Sequence, residues 1–153
     1  MLAAVLIAYQ TIDPYLLPIP DEKTAEVKLG EITRTHDNAE VEIDAIVEAA
    51  RGKYWVYIGE THDNPHAHKL QADIIRALVK DERTVVVGME MYQRSVQDVL
   101  FEWSTGKLSE EEFIEKSQWK TQWGFDYALY KPIFDVVKDH RLPLIGPNVP
   151  RDW

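Results

Sequence analysis

Tyr54-Trp-Val-Tyr-Ile58-Gly-Glu60-Thr-His62-Asp-Asn64-Pro-His66-Ala-His68 decides how this chain is read. Its first five residues are aromatic or β-branched, the composition of a buried strand. Asn64 followed by Pro65 then opens a helix, because a short polar side chain caps it and proline suits its first position. Leu70, Ile74, Ala77 and Leu78 give that helix a buried stripe that ends near Lys80. The bend between the two carries Glu60, His62 and Asp63, with His66 and His68 in the first helical turn. Three of the five histidines therefore fall within ten residues. A bend between a strand's carboxyl end and a helix's amino end is where α/β proteins build ligand sites.

Working outward, Thr84-Val-Val-Val-Gly-Met89 reads as a second strand. It is apolar throughout, so it is expected to be covered on both faces, as in a parallel sheet. Leu142-Pro-Leu-Ile-Gly146 is a third. Helices are expected over 94–104, over 109–117 with a Ser109/Glu112 capping box, and over 126–140, where Pro132 should kink or divide the helix. Upstream, Asp37 and Glu40 have capping-box spacing, and Val41, Ile43, Ile46 and Val47 are helix-periodic before Gly52. That pattern predicts a helix over 39–51. Ala25–Leu29 reads as a short edge strand, and residues 1–35, punctuated by Pro14, Pro18 and Pro20, are poorly defined. Strand–helix alternation predicts an α/β fold, a mostly parallel central sheet flanked by helices, in one domain over 1–153. Three strands make a thin sheet, so an incomplete or assembled domain is expected.

Composition narrows the function. Apolar residues at 45% and charged residues at 28% describe a globular chain. A net charge of −9 argues against a nucleic-acid partner, since phosphate binding needs clustered Lys and Arg. There is no cysteine, which removes thiolate chemistry, disulfides and Cys-ligated metal sites. The opening Met1–Ala8 run is apolar but too short to span a bilayer, and it lacks the basic residues that begin a secretory signal.

Glu60 and His62 follow the first strand, and Glu90, with Tyr92 nearby, holds the equivalent place after the second. In a parallel sheet these ends share one edge, so the two carboxylates are expected to converge. Two carboxylates and an imidazole can hold a divalent metal or divide acid and base roles. His66 and His68 are two apart, about 200° around a helix, and cannot both face one ion. His62 with one of them is the better pair. Thr-His-Asp-Asn occurs at both 35–38 and 61–64, so part of it is capping grammar, and His36 is read as a surface residue. Gln71 falls on the apolar face of its helix, where a polar group must find a partner.

A second region, Trp119 to Tyr130, carries Trp119, Trp123, Phe125, Tyr127 and Tyr130. Such a cluster can line a flat hydrophobic ligand or form core. Tyrosine is also a haem-iron ligand type, which makes Tyr92, Tyr127 and Tyr130 candidates. Arg151 lies just beyond the last strand, where it can reach an anion at the same sheet edge.

The segments Gly59-Glu60-Thr-His62-Asp63-Asn64, Gln71, Gly88-Met-Glu90-Met and Gln97 together resemble one family. So do Trp119, Trp123-Gly124, Tyr127, Tyr130-Lys-Pro132 and Asn148-Val-Pro150-Arg151. From about residue 40 onward, and in the same order, the chain resembles the ChaN-like haem-binding uptake family, related to the Tiki and TraB superfamily. The resemblance implies an α/β fold, haem as ligand, and iron or haem acquisition at the bacterial cell envelope or periplasm. It also implies a lipoprotein family whose members pair as a homodimer around haem. On that reading the porphyrin lies against aromatics, with its propionates near His66, His68, Arg151 or the helix amino terminus and its iron on a Tyr or His. The chain is expected to be the front part of a longer family domain. Without a lipobox cysteine, membrane association needs an anchor outside this chain. The wider superfamily includes hydrolases, and Glu60, His62 and Glu90 also resemble their metal-assisted arrangement.

Overall fold

The computed structural model describes residues 16–19, 23–28 and 30–150. The Met1–Ala8 run and Arg151 lie outside the described residues. The chain divides into two compact units, Met1–Ala45 and Ile46–Trp153.

In the first unit, β1 (Leu16–Ile19) pairs antiparallel with β2 (Lys23–Glu26), Leu16 opposite Glu26. A second antiparallel pair joins β3 (Ile32–Arg34) to β4 (Ala39–Val41), Ile32 opposite Val41. Here the expected helix over 39–51 is corrected, because residues 39–41 are strand and the helix α1 is only Ile43–Ala49. Asp37 is a turn residue, not a helix cap. Its carboxylate accepts from the Arg34 guanidinium at 2.9 Å and from the Ala39 amide at 3.3 Å. The Arg34 hydrogen bond holds that carboxyl down at about 2. Asn38 turns the chain with φ of 59°, a conformation Asn tolerates better than most residues.

The second unit begins within α1. The Arg83 guanidinium donates to the carbonyls of Val47 and Ala50 and thereby caps the end of that helix. Then comes the segment Tyr54–Ile58, expected as a buried strand. It is extended but bonded into no ladder, and Tyr54, Trp55 and Tyr57 are 96%, 72% and 89% exposed. β-propensity sets backbone conformation locally, whereas pairing needs a neighbour that local sequence does not supply.

The helix α2 (Pro65–Lys80) starts where Asn64 and Pro65 place it, and Asn64 Oδ1 accepts from the amides of His66 and Ala67. After it, β5 shrinks to Val87–Gly88, and Val86 is 52% exposed, so the run is not covered on both faces. β5 pairs in parallel with β6 (Leu144–Ile145), Val87 opposite Leu144. A 3-10 turn (Arg94–Val96) leads into α3 (Gln97–Ser104), followed by α4 (Glu110–Lys116), α5 (Trp119–Gln122) and α6 (Tyr127–Asp139). The Ser109/Glu112 capping box opens α4 as expected. Pro132 does not divide α6, whose apolar face buries Tyr130, Ile133, Phe134, Val136 and Val137.

The architecture is thus a mixed α/β one. A parallel pair is packed among helices, with two antiparallel pairs upstream. A mostly parallel central sheet is not what the described residues show. The outer edge of β6 is closed by side chains of α3. Gln97 donates to Leu144 O at 2.8 Å and accepts from the Gly146 amide at 3.1 Å, and Ser104 Oγ accepts from the Leu144 amide at 3.1 Å. Among the described residues no helix is long and apolar enough to cross a membrane.

Gly146 has a structural reason to be glycine. A Cβ there would stand 2.8 Å from Gln93 O and 3.0 Å from Tyr92 O, both backbone atoms that cannot swing aside. Gly146→Ala should therefore cost about 1–3 kcal/mol as overpacking. Urea unfolding of the variant checks this, and an unchanged midpoint would show that the backbone yields.

Candidate functional site

Glu60 is the hub of the bend. Its side chain is 4% exposed, yet its two oxygens meet groups from three directions. Oε1 lies 2.5 Å from His62 Nδ1 and accepts from the Tyr130 hydroxyl at 3.2 Å. Oε2 lies 3.3 Å from Nε2 of His68, close enough for an ion pair but not aligned as a hydrogen bond. The single Tyr130 proton is shared between Glu60 Oε1 and His62 O, while the oxygen accepts from Trp123 Nε1 at 2.9 Å. Burial pushes the Tyr130 phenol up to about 12; the Trp123 indole opposes this and the Glu60 charge adds to it.

Local sequence explains how the bend is held. Gln71 lies one turn after His68 on α2 and donates to Ile58 O at 3.2 Å, so it pins the residues that lead into Glu60. Asn64 donates its amide to Thr61 O at 2.8 Å and caps α2 with its side chain. His68 is fully buried against the Tyr130 ring, with centroids 4.0 Å apart. His62 is the member that meets solvent, its side chain 42% exposed. Trp123 and Phe125 present ring edges to it at 4.6 and 5.2 Å.

Because a carboxylate accepts from Nδ1, the proton of neutral His62 is assigned to that nitrogen, and Nε2 is left with a lone pair. An imidazole oriented by a carboxylate and flanked by aromatic edges can ligate a metal ion or the iron of a flat cofactor. Glu90 joins from the end of β5. One atom each of Glu60, His62 and Glu90 lies within 4.8 Å of the others. The Glu90 carbonyl accepts from the Asn148 side chain.

The expected convergence of Glu60, His62 and Glu90 is thus present, and His68 and Tyr130 complete the cluster from behind. His66 is exposed, and its ring has no contact with the cluster among the described residues. Tyr92 and Tyr127 sit elsewhere. Tyr92 is fully buried with its hydroxyl on Ser117, and Tyr127 stacks on Phe134 at 5.1 Å. Burial raises both phenols well above the ordinary tyrosine range. Tyr92, Tyr127 and Tyr130 all lie in the core, so none offers an open face to a porphyrin. His68 is closed off in the same way. The contact of Trp123 and Phe125 with His62 was not readable from spacing, because it brings together residues about sixty apart.

A sequence model of the family described as haem-binding uptake, Tiki superfamily, ChaN matches residues 46–153. A solved structure of ChaN from Campylobacter jejuni, described as showing cofacial heme binding, matches with a TM-score of 0.66 at 20% identity. The match covers 80% of this chain and 49% of that one, so this chain spans about half the length of the structure it matches. No curated protein matches.

Proposed function

The chain belongs to the ChaN family, the haem-binding uptake proteins of the Tiki superfamily, and from that premise we propose that it binds haem and does so without catalysis. The observation that carries the proposal is His62. It is half-exposed, oriented through Nδ1 by the buried Glu60 carboxylate, and edged by Trp123 and Phe125. A carboxylate-oriented imidazole is a recurring haem and metal ligand arrangement, and the aromatic edges suit a porphyrin face. His62 Nε2 would hold the iron, and Tyr130, His68 and Gln71 would hold Glu60 in place behind it. When bound, haem supplies the redox-active iron, and this chain's residues bind it and fix its orientation. Cell-envelope location, a role in iron acquisition, lipoprotein anchoring outside this chain and pairing into a homodimer belong to the same proposal. Family membership also supports a wider parallel sheet in which Tyr54–Ile58 is a strand.

Haem titration followed at the Soret band tests it. The chain should saturate, and His62→Ala should weaken binding with a changed band position. Unchanged affinity and spectrum in His62→Ala would remove this face from the account.

A second reading rests on the Glu60, His62 and Glu90 convergence, which suits a divalent cation. Two ligands of one zinc ion stand at most ~4.4 Å apart, twice a bond of ~2.2 Å. The trio's atoms lie within 4.8 Å of one another, near that limit, and the family description names haem, which ranks this reading second. Stoichiometric metal in purified protein, lost in Glu90→Gln, would raise it. The hydrolase arrangement gains no support from the family description, which names haem uptake.

A further inference from the structure

A cleft of about 370 Å³ opens between the 3-10 turn and the loop after β6, lined by Arg94, Ser95, Pro147, Asn148, Val149 and Pro150. Arg94 is the only charged residue in that lining. Arg34, Arg51, Arg76 and Arg83 are each paired with an aspartate or glutamate, whereas Arg94 and Arg141 have no carboxylate within ion-pair distance among the described residues, and of these two only Arg94 lines the cleft. In a protein with 26 acidic side chains and a net charge of −9, a guanidinium exposed in a cleft and without an acidic partner among the described residues offers an anion a local positive charge.

The cleft adjoins the site. The Arg94 amide donates to Asn148 O at 2.8 Å, and the Asn148 side chain donates to Glu90 O. One asparagine therefore ties the backbone of Arg94 to that of Glu90, and four residues of chain from Glu90 reach at most ~14 Å. Pro147, Pro150 and the exposed Val149 make the rest of the wall apolar. One planar cation beside apolar walls suits a single carboxylate carried on a hydrophobic body, since the guanidinium fork matches a carboxylate with two parallel hydrogen bonds.

We propose that Arg94 binds a propionate carboxylate of haem in this cleft, a role that rests on the haem-binding reading above. The test titrates the chain and Arg94→Met with haem and with its dimethyl ester, in which both propionates are blocked. Arg94 is exposed and its backbone bonds survive the substitution, and the ester comparison on the unaltered chain needs no variant at all. Haem affinity should fall about tenfold in Arg94→Met, the scale of a charge-assisted hydrogen bond. The ester should bind the two proteins alike, and the unaltered chain more weakly than haem does. Haem binding that is equal in both proteins overturns the Arg94 assignment and leaves the haem reading standing. An equal loss for haem and ester also overturns it, because Arg94 would then act on something other than a propionate. No haem binding by the unaltered chain overturns the haem reading, and the assignment with it.

Discussion

Between about pH 10 and pH 12 this fold should lose stability at a slope approaching ~4 kcal/mol per pH unit, three times the 1.36 kcal/mol of one group. The groups are Tyr92, Tyr127 and Tyr130, which are 0%, 8% and 0% exposed. Burial raises all three, Tyr130 to about 12 and the other two further. An unfolded tyrosine ionises near pH 10. Above that pH the unfolded chain has released protons that the folded chain still holds, so rising pH favours unfolding. Below pH 10 both states keep the protons and the stabilisation is intact. Urea midpoints measured across pH 8–12, alongside tyrosinate absorbance, read this directly. Tyr92→Phe and Tyr127→Phe should each shallow the slope by about a third. Tyr127→Phe should do so at little cost at neutral pH, because its buried hydroxyl has no partner to lose. A midpoint that stays level to pH 11 would mean that the three phenols reach water in the native state.

What the sequence made legible was what is encoded locally. Asn64 and Pro65 set the start of α2 to the residue, and Ser109 with Glu112 did the same for α4. The same tetrapeptide, Thr-His-Asp-Asn, misleads at 35–38, because no proline follows Asn38 to lock a helical φ. There Asp37 instead bonds Arg34 and the Ala39 amide, which makes a hairpin turn. Strand content was the weakest expectation for a related reason. Tyr54–Ile58 has strand composition, but its pairing depends on a neighbour distant in sequence, and composition cannot name one. In the site, Glu60, His62 and Glu90 could be brought together in advance because they follow strand-like runs whose carboxyl ends a parallel α/β arrangement would bring to one edge. Tyr130 could not. It was a candidate iron ligand by type, and its hydroxyl is instead spent on Glu60 and His62 O, some seventy residues away.

The Tyr130 ring that makes this contact packs against Trp119, and Trp119→Ala should cost about 3–5 kcal/mol. The side chain is 2% exposed and meets the rings of Tyr92, Tyr127, Tyr130 and Phe134 at 5.1–5.8 Å. Its indole N–H donates to Phe125 O at 2.6 Å. Domains of this kind are stable by about 5–15 kcal/mol in total, so the variant should sit near the edge of folding, with a large drop in its urea midpoint. Instability alone would explain any loss of ligand in that variant. Trp119→Phe separates the two effects. It keeps most of the packing volume and removes only the hydrogen bond that anchors Phe125, at a cost of about 1–3 kcal/mol for the carbonyl left unpaired. Such a chain should remain folded while the Trp123–Phe125 segment loses its tether beside His62. Its haem affinity should then fall with the fold intact. Affinity equal to that of the unaltered chain would show that the aromatic edges around His62 are scaffold, and that the imidazole and its carboxylate hold the ligand without them.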